Sequence, residues 1–219
     1  MNWKQLALVG LVAACAVAAW PRREVMLDTH GPTRQFVIRS TLQRVDDAVV
    51  MLGDSIVEAS TLPRSACGRA IVNAGIGGAS TVSGLGSMLS RSLGGKRAAL
   101  VVVSLGTNDA AIPHSVERYR SNYHALLTEL ATLTPRIAIA AIPPPEAGLE
   151  EAEKVSAALI DGYNAILPEL AKEAGAAFIA LPAMPERHTL DGIHLNAAGY
   201  EVWDKAIVQG IESAFCKST

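Results

Sequence analysis

Four short stretches of this sequence hold residue types that could do chemistry together. A serine hydroxyl becomes a nucleophile when a base takes its proton and fixed donors receive the charge that develops on the attacked group. Ser55, in Gly53-Asp54-Ser55-Ile56, is the candidate nucleophile. Alone, that tetrapeptide reads better as a Gly-Asp turn with a serine capping the next helix. The other stretches reverse this. Asn73-Ala74-Gly75-Ile76-Gly77-Gly78 crowds glycines so that backbone amides can approach a ligand with no Cβ in the way, though such turns are common for steric reasons alone. Gly106-Thr107-Asn108-Asp109 offers the Asn108 amide as a donor to a developing anion, or simply a turn residue. In Asp191-Gly192-Ile193-His194-Leu195-Asn196, a carboxylate three residues before an imidazole can orient it and stabilise its cation. Asp191 and His194 could also be metal ligands, but no further cluster of His, Cys or carboxylate completes such a site.

These stretches need a scaffold that gathers them. Apolar runs at Ala48 to Leu52, Ala70 to Asn73, Ala98 to Leu105, Ile137 to Ile142 and Ala176 to Leu181 are short and partly β-branched, as strands buried on both faces are. Between them, helical spacing runs through Ser115 to Leu133, Glu153 to Gly175 and Leu195 to Phe215. Pro168 is expected to bend or split the second of these near Ile166. Strand-helix alternation predicts a parallel sheet with helices on both faces: an α/β, three-layer α/β/α doubly wound fold, flavodoxin-like, with a central five-stranded parallel sheet. Each chemical stretch then falls at the sheet edge where such folds bind their ligands.

In this order and at these positions, the four stretches resemble the SGNH (GDSL-type) hydrolase family, and the resemblance covers most of the chain from Ala48 onward. It implies that Ser55 is the nucleophile and, through its amide, the first oxyanion donor. Gly78 becomes the second donor through its amide and Asn108 the third through its side chain. His194 is then the general base, oriented by Asp191. Ala79 stands where the family usually has an aspartate. The resemblance calls for no cofactor and implies an acyl-enzyme route to ester hydrolysis, with short-chain acyl or O-acetyl esters as substrates for an exported member. Acyl transfer to a sugar, or lysophospholipase or thioesterase activity, would use the same residues.

Composition narrows the partners. The chain has 219 residues and a formal net charge of -2, with no basic run, so nucleic acid is not an expected partner. Aromatic residues make up only 5%, which disfavours a non-catalytic polysaccharide-binding module built from stacked rings. A nucleotide-binding domain would need a phosphate motif that the glycine stretch lacks. Residues 1–20 place Lys4 before an apolar segment from Leu6 to Trp20, ended by Pro21-Arg22-Arg23, and read as an export signal or membrane anchor. Val12-Ala13-Ala14-Cys15 resembles a lipobox, the alternative to plain cleavage. The expected location is the bacterial periplasm or cell envelope. Residues 21–47 read as a linker and lead-in, and 48–219 as the catalytic domain. Cys67 and Cys216 are an even pair outside the signal, open to a disulfide or to two buried thiols.

Overall fold

The computed structural model describes residues 29–112 and 114–216. Five parallel strands form the heart of the sheet: β1 (Val49–Gly53), β3 (Arg69–Gly75), β4 (Leu100–Ser104), β5 (Ile137–Ala140) and β6 (Ala177–Ile179). A sixth, the two-residue β2 (Ser65–Ala66), pairs antiparallel with β3, giving the order β2-β3-β1-β4-β5-β6. The expected five-stranded parallel sheet thus gains an edge hairpin. Cys67 and Gly68 both take positive φ in its two-residue loop, the conformation that matches strand twist in tight hairpins.

Alternate side chains of each strand serve opposite faces. Val50 and Leu52 of β1 join Val101 and Val103 of β4 in a core covered by helices α1 (His30–Leu42), α3 (Leu85–Leu93), α5 (Val116–Ala131) and α6 (Ala157–Glu173). Val49, Met51, Leu100 and Val102 face the other way, onto helices α2 (Ser55–Ala59) and α7 (Ala197–Phe215), where Trp203, Ile207 and Ile211 are fully enclosed. The short α4 (Thr107–Ala111) follows β4 directly.

From His30 to Leu42 the lead-in forms a helix, α1, in keeping with a linker followed by a short helix, and its Ile38 and Leu42 are buried in the core, so the folded unit begins before Ala48. Of the bend or split expected at Pro168, the split does not occur: α6 runs as one helix through it, with Ile160, Tyr163, Leu167 and Leu170 buried. Packing of that apolar face outweighs one lost backbone hydrogen bond. The apolar segment from Leu6 to Trp20 lies outside the described residues. Among those residues, no helix is long and apolar enough to cross a membrane.

Cys67, in the β2–β3 turn, is joined by a disulfide to Cys216 at the end of α7, closing a span of 149 residues. This tie sits where β3 begins, at the edge of the sheet opposite the chemical stretches. Replacing Cys216 with serine should lower stability by up to about 4–5 kcal/mol in the chain-entropy account of long loops, and the melting temperature with it, while leaving turnover at room temperature unchanged. Thermal unfolding alongside an ester-cleavage assay checks both halves.

Candidate active site

β1, β3 and β4 end level, with Gly53 opposite Gly75 on one side and Ser104 on the other. The chain leaves β1 through α2 toward one side of the sheet, and leaves β3 through α3 to reach β4 on the other. The crevice of a doubly wound sheet opens at such a reversal. Ser55 and Asn108 stand on either side of it. A Cβ on Gly53 would lie 2.6 Å from the Ser104 carbonyl and collide with Val57, so only glycine lets β1 turn this sharply into α2.

Asp54 caps α2, accepting the Ile56 amide at 2.9 Å. This puts Ser55 at the first helical position, where backbone amides have no intrahelical partner. Ser55 Oγ lies 2.9 Å from His194 Nε2. The other imidazole nitrogen, Nδ1, is 2.7 Å from Asp191 Oδ2. Asp191 Oδ1 also accepts the amides of Ile193 and His194, at 3.0 and 2.9 Å. Burial by itself would raise the Asp191 carboxyl, but the His194 amide and ring, with the Ile193 amide, outweigh it and hold the group below the usual carboxylate range. Asp191 is therefore an anion that fixes the tautomer and direction of His194.

Gly78 lies in the turn after β3, closed by a hydrogen bond from the Ala79 amide to the Ile76 carbonyl. Its φ of +77° at the third turn position is what a type II turn requires, and nothing stands within 4 Å of where a Cβ would be. Asn108 Nδ2 donates to the Ala79 carbonyl at 2.9 Å, which holds its amide against this turn and leaves a second N–H to offer. Among the sequence-predicted residues, Ser55, Asp191 and His194 form one connected chain, and Asn108 is tied to the Gly78 turn. His188, near His194 in sequence, is elsewhere: it is buried, with its ring nitrogens 2.9 and 3.0 Å from the Pro185 and Pro144 carbonyls. Among the described residues, no group of three or more His, Cys, Asp or Glu is arranged to hold a metal.

Several supporting side chains escaped sequence reasoning. Fully buried Asp109 accepts the Thr81 amide at 3.1 Å and the Thr81 hydroxyl, tying the Asn108 turn to the glycine loop. Glu146, after β5, takes the amides of His188 and Thr189 at 3.0 and 2.9 Å and so braces the loop that carries Asp191. Its carboxyl is held below the usual range, first by the Thr189 hydroxyl. Tyr200 of α7 donates to the Ile56 carbonyl at 2.8 Å, joining the helix after His194 to the helix that carries Ser55. Only the adjacency of Asp109 to Asn108 could have flagged any of these.

The sequence pattern of the GDSL-like Lipase/Acylhydrolase family matches residues 51–202. The chain belongs to that family and is a serine ester hydrolase. Among solved structures, it is similar to a Streptococcus pneumonia protein provisionally named a platelet activating factor, at 25% identity and a TM-score of 0.68, over 93% of this chain and 98% of that one. A lipase/acylhydrolase from Enterococcus faecalis matches at 21% identity and a TM-score of 0.62, over 76% and 95%. A mutant of an acetyl-xylooligosaccharide esterase from Geobacillus Stearmophilus matches at 18% and 0.58, over 75% and 94%. No curated protein shows a significant match to the sequence.

Burial raises the Asp54 carboxyl from 3.8 to about 7, against the opposing pull of the Ile56 amide and the nearby His194. The folded chain thus binds that proton more tightly than the unfolded chain, and Asp54 takes stability away as pH rises from 3.8 through about 7. Asp54→Asn keeps a capping oxygen for Ile56 and has no proton to lose. Between about pH 5 and pH 8 its melting temperature should therefore fall less than that of the wild type. Scanning calorimetry at the two pH values measures the difference.

Proposed function

We propose that the protein is an exported esterase that removes short acyl groups, O-acetyl groups among them, through an acyl-enzyme on Ser55. The unbroken relay of Asp191, His194 and Ser55, at 2.7 and 2.9 Å, carries this reading. His194 Nε2 takes the Ser55 proton as Oγ attacks the ester carbonyl, and Asp191 steadies the imidazolium that results. The tetrahedral oxyanion is received by the amides of Ser55 and Gly78 and by Asn108 Nδ2. Collapse expels the alcohol, protonated by His194. Water, deprotonated by the same nitrogen, then attacks the acyl-enzyme and releases the acid and free Ser55.

The likeness to an acetyl-xylooligosaccharide esterase supports a short, glycan-borne acyl group. A depression of about 140 Å³ beside the Gly78 turn, lined by Gln35, Ile76 and Met88 among others, and a groove of about 300 Å³ lined by Phe178, Ile179 and Ala214 among others both lack the side chains of the proposed relay. The Lys4-led apolar segment supports export to the envelope or periplasm, as does the disulfide, since disulfides persist in oxidising compartments.

The test is hydrolysis of p-nitrophenyl acetate, butyrate and octanoate. Activity should fall with chain length and vanish in Ser55→Ala, whereas equal rates in that variant and the wild type would refute the role of Ser55. Asn108→Ala should lower kcat by about 100- to 1,000-fold, the usual effect of losing one oxyanion donor.

A further inference from the structure

The turn that presents Gly78 is held from behind by a cluster to which the relay makes no appeal. Glu58, on α2 one helical turn after Ser55, directs its carboxylate at this turn. Its Oε2 accepts the Gly77 amide at 2.7 Å and lies 3.0 Å from His30 Nε2. Its Oε1 is 3.1 Å from Arg34 Nε. Arg34, from α1, also donates to the Gly75 carbonyl, at 3.1 Å from Nε and 2.9 Å from Nη2, and through Nη2 to Asn73 Oδ1 at 3.2 Å. Asn73 in turn reaches back to α2, donating to the Val57 carbonyl at 2.6 Å. Glu58 and Arg34 are each only 19% exposed at the side chain. The close approach is built in, because a Cβ on Gly75 would lie 2.2 Å from the Glu58 amide.

We infer that Glu58 is a positioning residue for the oxyanion hole, aiming the Gly78 amide by anchoring the amide of Gly77 that precedes it. A turn with glycines at both central positions has little steric hold on its own placement. A carboxylate on the Gly77 N–H fixes the Ile76–Gly77 peptide that enters the turn, so the point from which the Gly78 amide is presented is set relative to α2. Glu58 lies on the same short helix as Ser55, so the second donor is referenced directly to the nucleophile that makes the oxyanion. A bare carboxylate this near an anion would oppose it, and the Arg34 guanidinium offsets that charge.

The inference rests on the proposed roles of Ser55 and Gly78, and the experiment separates the two. Turnover of p-nitrophenyl acetate is measured in wild type, Glu58→Ala, Glu58→Gln and Ser55→Ala, with the burst of nitrophenol counting functional sites. Glu58→Ala should lower kcat per counted site by about 10- to 100-fold, less than removal of a donor outright, with KM within about twofold. Glu58→Gln keeps an oxygen for the Gly77 amide and should stay within about threefold of wild type. A fall in the number of counted sites with unchanged kcat per site would make Glu58 merely structural and overturn the inference. Wild-type kcat in Glu58→Ala, or equal loss in the alanine and glutamine variants, would overturn it as well. Full activity in Ser55→Ala would instead refute the reading of the site itself.

Discussion

A hydrogen bond of 2.9 Å joins Ser55 to His194 across 139 residues of sequence, and the fold serves to hold its two ends. The serine end is fixed by covalent geometry. β1 is locked between β3 and β4, Gly53 allows an immediate turn, and Asp54 starts a helix whose first residue is the proposed nucleophile, Ser55. The histidine end has no strand to lean on and is built from loops. Glu146 pins His188 and Thr189, the Leu190 amide donates to the His194 carbonyl at 2.7 Å, and Asn196 caps α7 by accepting the amides of Ala198 and Gly199. Trp203, Ile207 and Ile211 then seat α7 on the same sheet face as α2. Tyr200 closes the circuit by donating directly to α2. A loop-borne base thereby becomes about as well placed as one on a strand, as near-attack chemistry demands.

Charge is distributed with the same economy. Asp191, the carboxylate that must be an anion, is partly exposed and accepts three N–H groups. Asp54 and Asp109 are buried, and burial is the leading cause that raises both above the usual carboxylate range. Their work is to accept hydrogen bonds that hold backbone, a task that does not require a full negative charge. An extra anion close to the proposed nucleophile would oppose the tetrahedral intermediate, and burial, by raising these carboxyls, works against that charge.

Most of the sheet and the residues that meet in the proposed relay were legible in the sequence, because both have local signatures. The runs at Ala48 to Leu52 and Ala98 to Leu105 are apolar on both faces, and Ser55, Asn108 and His194 sit at the ends of such runs or before a capped helix. What it hid has no local pattern. β2 is two residues long and is defined by its pairing with β3. α1 buries only Ile38 and Leu42, too few for an amphipathic stripe to stand out. Pro168 argued for a bent or split helix because a local cost is visible in sequence, whereas the packing that keeps the helix continuous is not. Asp109, Glu146 and Tyr200 act on partners 28 to 144 positions away, and spacing rules do not reach that far.

The family match, residues 51–202, encloses every residue of the proposed relay and oxyanion hole, yet it leaves out much of what steadies them. α1 precedes it and Cys216 follows it. From the first side come Arg34 and His30, which meet Glu58 behind the glycine turn, and from the second comes the disulfide that binds the end of α7 to the start of β3. The two flanks act at opposite edges of the sheet. α1 works at the edge where the reaction would occur, on the placement of a donor, and the disulfide works at the other, on the cohesion of the fold. Chemistry confined to one edge leaves the opposite edge free to carry a cross-link without disturbing the distances on which catalysis depends.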